Sequence, residues 1–318
     1  MTNDRPRQTT PRSQLDWPAL PYEHWSATCD TLHAHSQVLG KLAVALAPPE
    51  PQLQHAALRL TARGWETAPL LAPDHSGALV AALDLRTHEV VVEHSDSRVQ
   101  RVPLTPNRPV AEVTRDILNV FDKLVGGVQI NLLPQEVPWS TPLDEDYEHR
   151  TYNSQQVATY FSAATRAALV LAALRAPYRG RSSPVNAWWG TFDLAVSLFS
   201  GQPADPRSSD FITRNSANAQ QVEVGWWPGD ARHTQAAFFG FASPAPDSFA
   251  NGDLSSSAGR WDSGLGEYIL DWDDVIATGD PFGTALEFGR SVVAHACTVC
   301  DWDPLLAASA QGNPPPVN

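Results

Sequence analysis

The chain has 318 residues, 42% of them hydrophobic and 18% charged, and carries a net charge of −13. That composition belongs to a folded globular protein rather than a disordered one, and the acidic balance argues against nucleic acid or an anionic membrane surface as partner, because both require basic patches. The longest apolar run, residues 167–174, falls far short of the roughly 20 residues a membrane-spanning helix needs, so the expected setting is the cytoplasm with no membrane contact.

Residues 1–16 are polar, lack the apolar core of a signal peptide and predict a disordered leader. From residue 23 to 49, Trp25, Cys29, Leu32, Leu39, Ala43 and Leu46 recur at spacings of three and four, which predicts an amphipathic helix closed by Pro48 and Pro49. His33, Gln37 and Lys41 form a polar stripe beside its apolar face. Alternating stretches at 57–63, 78–85, 89–95 and 97–104, separated by short turns, predict an antiparallel meander. A second helix follows over 109–125, ended by Gly126 and Gly127, then a strand over 128–134.

Residues 136–150 are rich in proline and acid and mark a connector between an N-terminal half, 17–135, and a C-terminal half, 151–304. Asn153 caps the next helix, with Gln156 at the capping-box position; it runs to about Arg175, and Pro177 closes it. Strands are predicted over 186–199, 221–227, 236–242 and 266–272, a last helix over 282–300, and a flexible tail over 305–318. Each half thus reads helix, strands, helix. The class is α+β, with antiparallel sheet flanked by helices.

Two tryptophan pairs, Trp188–Trp189 and Trp226–Trp227, lie in strand-like stretches beside Gly190 and Gly225. Neighbouring strand residues point to opposite faces. Each pair should therefore send one ring into the core and leave one for a cleft, with the two pairs close together and Asp193 near them. Asp193 lies in an apolar run and needs a partner or a proton; Arg63 and Arg181 are candidates. His33 and Gln37, four apart, share a helix face and could position a base. The acidic run before His149 holds Asp144 and Asp146, which could bind a hard cation but equally complement the following helix dipole. Cys297 and Cys300 form a CxxC inside a helical stretch, where redox or metal chemistry is not expected. Cys29 stands apart from both. No phosphate-binding loop, dinucleotide glycine fingerprint, nucleophile elbow or paired zinc motif occurs.

The stretches WPALPYEHW, TLHAHSQVLGK, LTARGWETAP, PLDEDYEHRTY, SPVNAWWGTFDLAVSLFSG, GWWPGD and LGEYILDW, in that order, resemble a bacterial family catalogued only as a domain of unknown function. The resemblance spans about residues 17–272 and implies no activity. It further implies histidines at the positions of Asn186 and Gln52, with His55 retained. It also implies a Tyr-Ser-His-Glu run where Ala217, Asn218, Ala219 and Gln220 stand. The chain therefore reads as a divergent or non-catalytic member. The leading expectation is a small-molecule cleft built from Trp188, Trp189, Trp226, Trp227, Asp193, His33, Gln37, His55 and Arg63, with no cofactor. The alternatives are a hydrolase-like enzyme using His33 or His149 with a carboxylate such as Asp193, and an interaction protein whose exposed tryptophans meet a partner.

Overall fold

The computed structural model describes residues 17–206, 208–254 and 258–311; among them, twelve strands join in one antiparallel sheet. The leader over 1–16 and the end of the tail, 312–318, lie outside the described residues. The N-terminal half supplies helix α1 (Ser26–Leu46), strands β1 (Leu58–Leu60), β2 (Gly64–Glu66), β3 (Leu70–Leu71), β4 (Ala78–Asp84), β5 (Glu89–His94) and β6 (Val99–Pro103), and helix α2 (Val110–Val125). The C-terminal half supplies α3 (Ser154–Arg175), β7 (Asn186–Trp188), β8 (Asp193–Pro203), α4 (Phe211–Ser216), β9 (Ala219–Trp227), β10 (Ala237–Ser243), β11 (Arg260–Asp262), β12 (Glu267–Asp271), α5 (Trp272–Ile276), α6 (Pro281–Val299) and α7 (Pro304–Gln311). The strand order is β11-β12-β10-β9-β8-β7-β1-β2-β4-β5-β6, with β3 on β4. Both halves share this sheet, because β1 pairs with β7 through Leu58–Ala187 and Arg59–Asn186.

Period-two patterning sorts the C-terminal strands into a core face and an open face. Leu194, Val196 and Leu198 on β8, Val222, Val224 and Trp226 on β9, and Phe238 on β10 are all buried. Helices α3 and α6 cover this face. Burying each such side chain contributes about 1.5–3 kcal/mol. The residues in between point to the other side of the sheet.

Several elements depart from the sequence reading. The stretch 186–199 is not one strand: it folds as a β7–β8 hairpin over a turn at 189–192, with Phe192 at φ 62. The stretch 57–63 likewise turns back, into the β1–β2 hairpin. Residues 128–134 form no strand and pair with no neighbouring strand; near their end the Leu133 carbonyl accepts from Lys41 of α1. Residues 304–311 are helical rather than a flexible tail. Asn153 accepts from the backbone N–H groups of Gln155 and Gln156, but Gln156 does not reach back to complete a capping box. Its amide donates to the His24 carbonyl and accepts from Thr28, tying α3 to α1. Helix α3 is also long and apolar enough, by length and composition, to cross a membrane, which the apolar-run reading had excluded. In this fold Val157, Tyr160, Ala164, Leu171 and Leu174 are buried, and the helix packs on β8, β9 and α6.

Helix α1 is less amphipathic than its sequence suggests: His33, His35, Gln37 and Lys41 are buried along with its apolar residues. A Cβ at Gly40 would come within 2.0 Å of the Trp189 ring, so the close approach of indole to helix requires glycine there. Gly40→Ala is expected to lower stability by about 1–3 kcal/mol through overpacking. Chemical denaturation would show this as a lower midpoint at unchanged slope; an unchanged midpoint would mean that Trp189 has room to move.

Candidate functional site

The open face of the C-terminal strands forms the floor of a cleft of about 660 Å³, within the size range of small-molecule pockets. Strand register lays out this floor in rows. One row runs Ser197–Glu223–Phe241, and continuing the β10–β12 pairing by one residue brings Glu267 opposite Phe241. The next runs Ala195–Gly225–Phe239–Ile269. In the third, Trp188 pairs with Asp193 and Trp227 with Ala237; one step beyond the Leu194–Trp226 pair sets Trp227 opposite Asp193. Gly225 is required in the floor, since a Cβ there would meet the Phe239 ring at 2.2 Å and the Leu194 carbonyl at 2.5 Å.

The tryptophan pairs thus lie close together, on β7 and β9 with β8 between them. Trp226 is 0% exposed on the core face, and Trp188 and Trp227 line the cleft half-buried. Trp189 reaches its buried position by a different route from that expected. It sits in the hairpin turn rather than on a strand, and its indole N–H donates to the Ala56 carbonyl at 3.0 Å.

Six acidic side chains line the cleft: Glu136, Asp193, Glu223, Asp230, Asp262 and Glu267. Asp262 spends an oxygen on the N–H groups of Gly264 and Leu265. Asp230 binds Arg232, the single Lys or Arg among the lining residues, through Nε at 3.0 Å and Nη2 at 2.7 Å. The other four have no cationic partner within salt-bridge distance among the described residues. Asp193 accepts from the Thr191 hydroxyl and Glu223 from the Ser197 hydroxyl at 2.8 Å. Burial, reinforced by Glu223, Glu136 and Glu267, holds Asp193 well above the ordinary carboxylate range. Burial raises Glu223 to about 7 despite its bond to Ser197, and burial together with Glu223 raises Glu267 to about 7. Glu136 is exposed as a residue, but its carboxylate end lies against the α-carbon of Gly190, and burial of that end raises it too.

The polar stripe of α1 serves to position this wall. His33 donates Nε2–H to the carbonyls of Trp189 and Gly190 at 2.9 and 3.0 Å, and burial lowers it to about 4, so it is a neutral strut under the hairpin turn. The Gln37 amide clasps the backbone N–H and C=O of Gln135 at 2.9 and 2.8 Å, and Lys41 Nζ donates to the Leu133 carbonyl at 2.8 Å. Together they deliver Glu136 to Gly190. None of the three lines the cleft.

Other candidates lie elsewhere. His55 accepts the Glu50 N–H at Nδ1 and holds a turn next to the wall residues Gln52 and Gln54. Arg63 pairs with Glu66 and Glu93 at 2.9 and 3.1 Å, well occupied away from Asp193. Arg181 stacks on Phe199 at 3.7 Å. Neither arginine neutralises Asp193. Asp146 binds His149 Nδ1 at 2.7 Å and caps the N–H groups of Glu148 and His149. Burial lowers His149, but that bond and the charges of Asp146, Asp30 and Glu148 together raise it; its ring lies 4.4 Å from that of Trp139. Asp144 contributes its backbone carbonyl to Arg115. Cys29 and Cys297 are buried, Cys300 is partly exposed, and all three are free. Among the described residues no group of three or more His, Cys, Asp or Glu is arranged to hold a metal ion.

Next to α4, amide side chains bond to one another. Gln52 donates to Asn218, and Asn186 donates to Gln54 at 3.0 Å while accepting from Arg59. These include positions at which the sequence resemblance implied histidine. Sequence reasoning missed Glu223 and Glu267 because each alternates with apolar residues like an ordinary solvent-facing strand residue. The available signal was Trp227, which shares the Glu223 face and would be out of place on a wholly solvated surface.

A family model described as "Family of unknown function (DUF5996)" matches residues 17–308 of the chain. No curated protein and no solved structure matches it.

Proposed function

We propose, for a chain that belongs to the DUF5996 family, that it binds a small molecule in the open-face cleft without transforming it. The observation carrying this reading is the half-buried pair Trp188 and Trp227, flanking Asp193 over a cavity of about 660 Å³. Aromatic faces with a few convergent polar groups are the usual equipment of a ligand pocket. Gln52 and Gln54 add neutral hydrogen-bonding groups to the cleft lining. A hydrolase-like reading that uses His33 or His149 has less support. The His33 Nε2 proton is committed to two carbonyls, and the His149–Asp146 pair is not among the cleft residues.

A thermal-shift screen of amines, sugars, nucleosides and carboxylates tests the reading, since a ligand of the native state raises its melting temperature. At least one class should do so in the native protein and fail in Trp227→Ala. Stabilisation that survives both Trp188→Ala and Trp227→Ala would contradict it.

A further inference from the structure

We infer that the cleft takes an organic cation, a protonated amine or quaternary ammonium whose apolar body lies on Phe241 and Trp227 and whose charge lies between Glu223 and Glu267. The inference rests on the proposed small-molecule role of the cleft and specifies its ligand class.

Three independent features point to this chemistry. The first is the unbalanced charge: Glu136, Glu223 and Glu267 share the cavity without an ion-pair partner, and Arg232 is already bound to Asp230. An anionic ligand would meet more carboxylates than cations, since Arg232 is the single Lys or Arg among the lining residues. A cation would relieve the mutual repulsion of the carboxylates, and its gain is larger in a partly desolvated cleft than in water.

The second is the arrangement of rings and carboxylates. Glu223 and Glu267 stand on either side of Phe241 across β9, β10 and β12, two strand spacings or about 10 Å apart at the backbone. Trp227 and Phe239 complete the aromatic floor, their ring centroids 5.5 Å apart at 63°. Ring faces carry negative electrostatic potential and attract ammonium groups, most strongly when desolvated. A carboxylate on each side of an aromatic ring gives one ammonium both kinds of partner.

The third concerns the acceptors themselves. Asp193 is only 5% exposed, and Thr191 satisfies one of its oxygens. Its Oδ2 has no hydrogen-bond partner among the described residues, although the residue lines the cavity. An N–H donor from a ligand would satisfy it. A bare metal ion fits less well, because the carboxylates are spread across three strands and a loop, and no group of three or more among the described residues is arranged to hold one.

Titration calorimetry of the full chain at pH 7.5 and low salt tests the inference with tryptamine, spermidine and choline as cations, 3-methylindole as a neutral probe and indole-3-acetate as an anion. At least one cation should bind, indole-3-acetate should not, and 3-methylindole should bind more weakly than tryptamine if tryptamine is the cation bound. Glu223→Gln/Glu267→Gln should weaken the cation on the order of tenfold or more and leave any 3-methylindole affinity unchanged. Far-UV circular dichroism checks that the double variant folds, with Glu267→Gln alone as the second variant. The cation assignment is overturned if no cation binds, if the neutral or anionic probe binds as tightly as the best cation, or if the double variant keeps full cation affinity. A cleft that binds only the neutral or anionic probe, and loses it in Trp227→Ala, would leave the pocket intact and change its ligand class. Loss of all binding to the cleft, with Trp227→Ala inert, would remove the pocket as well.

Discussion

Replacing Trp226 by alanine is expected to destabilise the protein by about 3–5 kcal/mol, the range for removing a large aromatic from a packed core. Replacing its neighbour Trp227 should cost well under half as much. Trp226 is fully buried and faces Tyr160 of α3 and Trp272 of α5, with ring centroids at 6.1 and 5.6 Å. Its removal leaves a cavity beneath two helices that cannot easily close over it. Trp227 points the other way, to Phe239 and His233 at the cleft, where water can replace it. The opposite ordering should appear in ligand binding, with Trp227→Ala losing it and any folded fraction of Trp226→Ala retaining it. Urea denaturation of the two variants measures the first contrast. Equal losses of stability would mean that the two faces of β9 do not differ as described.

The contribution of Glu223 and Glu267 to stability should fall between pH 5 and pH 8. Both are raised in the folded protein from 4.5 to about 7. Below the unfolded value both states hold their protons. Between 4.5 and about 7 the unfolded chain has released its protons while the folded protein keeps them, so each rise in pH favours unfolding. The loss is complete once the folded groups ionise. With discounting for partial exposure and mutual coupling, each contributes on the order of 2 kcal/mol over this window. His149, raised by Asp146, acts in the same direction, while His33, lowered by burial, acts oppositely as pH rises towards 6.5. Comparing the native protein with Glu223→Gln/Glu267→Gln cancels these histidine contributions. The melting temperature of the native protein should drop relative to the double variant as pH rises from 5 to 8, and a saturating cation should reduce the difference. A constant difference across that range would show that the two carboxylates ionise as they do in water.

Much of the frame can be read in the sequence because it rests on local patterning. Alternation in 221–227, 236–242 and 266–272 gives strands β9, β10 and β12 nearly to the residue, the three-four spacing gives α1 and α2, and the Asn153 cap gives the start of α3. The opposed burial of Trp226 and Trp227 follows from the same alternation. The hairpin at 189–192 was not legible, since it contains no Pro or Asn, and Phe192 takes up the positive φ that a turn usually gives to glycine. The single sheet was equally hidden. It depends on β1 meeting β7 across more than a hundred residues, and nothing local to either strand specifies that partner. The polar stripe of α1 was visible, but its purpose was not. His33, Gln37 and Lys41 face backbone groups of 133–136 and 189–190, which only the tertiary fold brings beside them. The cleft carboxylates were missed for a related reason. Glu223 and Glu267 look like solvent-facing residues until Phe241 and the walls of the cavity surround them.

The account turns on whether a bound small molecule touches the open face of the sheet and leaves the core face undisturbed. Indole N–H resonances in ¹⁵N-labelled protein read both faces at once, with Trp139, Trp188, Trp226, Trp227 and Trp272 assigned by single Trp→Phe variants. Titration with the compound that gives the largest thermal shift should move the Trp188 and Trp227 signals along one saturable curve and leave Trp226 and Trp272 in place. Movement of Trp139, beside His149, with Trp188 and Trp227 unchanged would put the ligand at the histidine–aspartate pair and contradict the cleft.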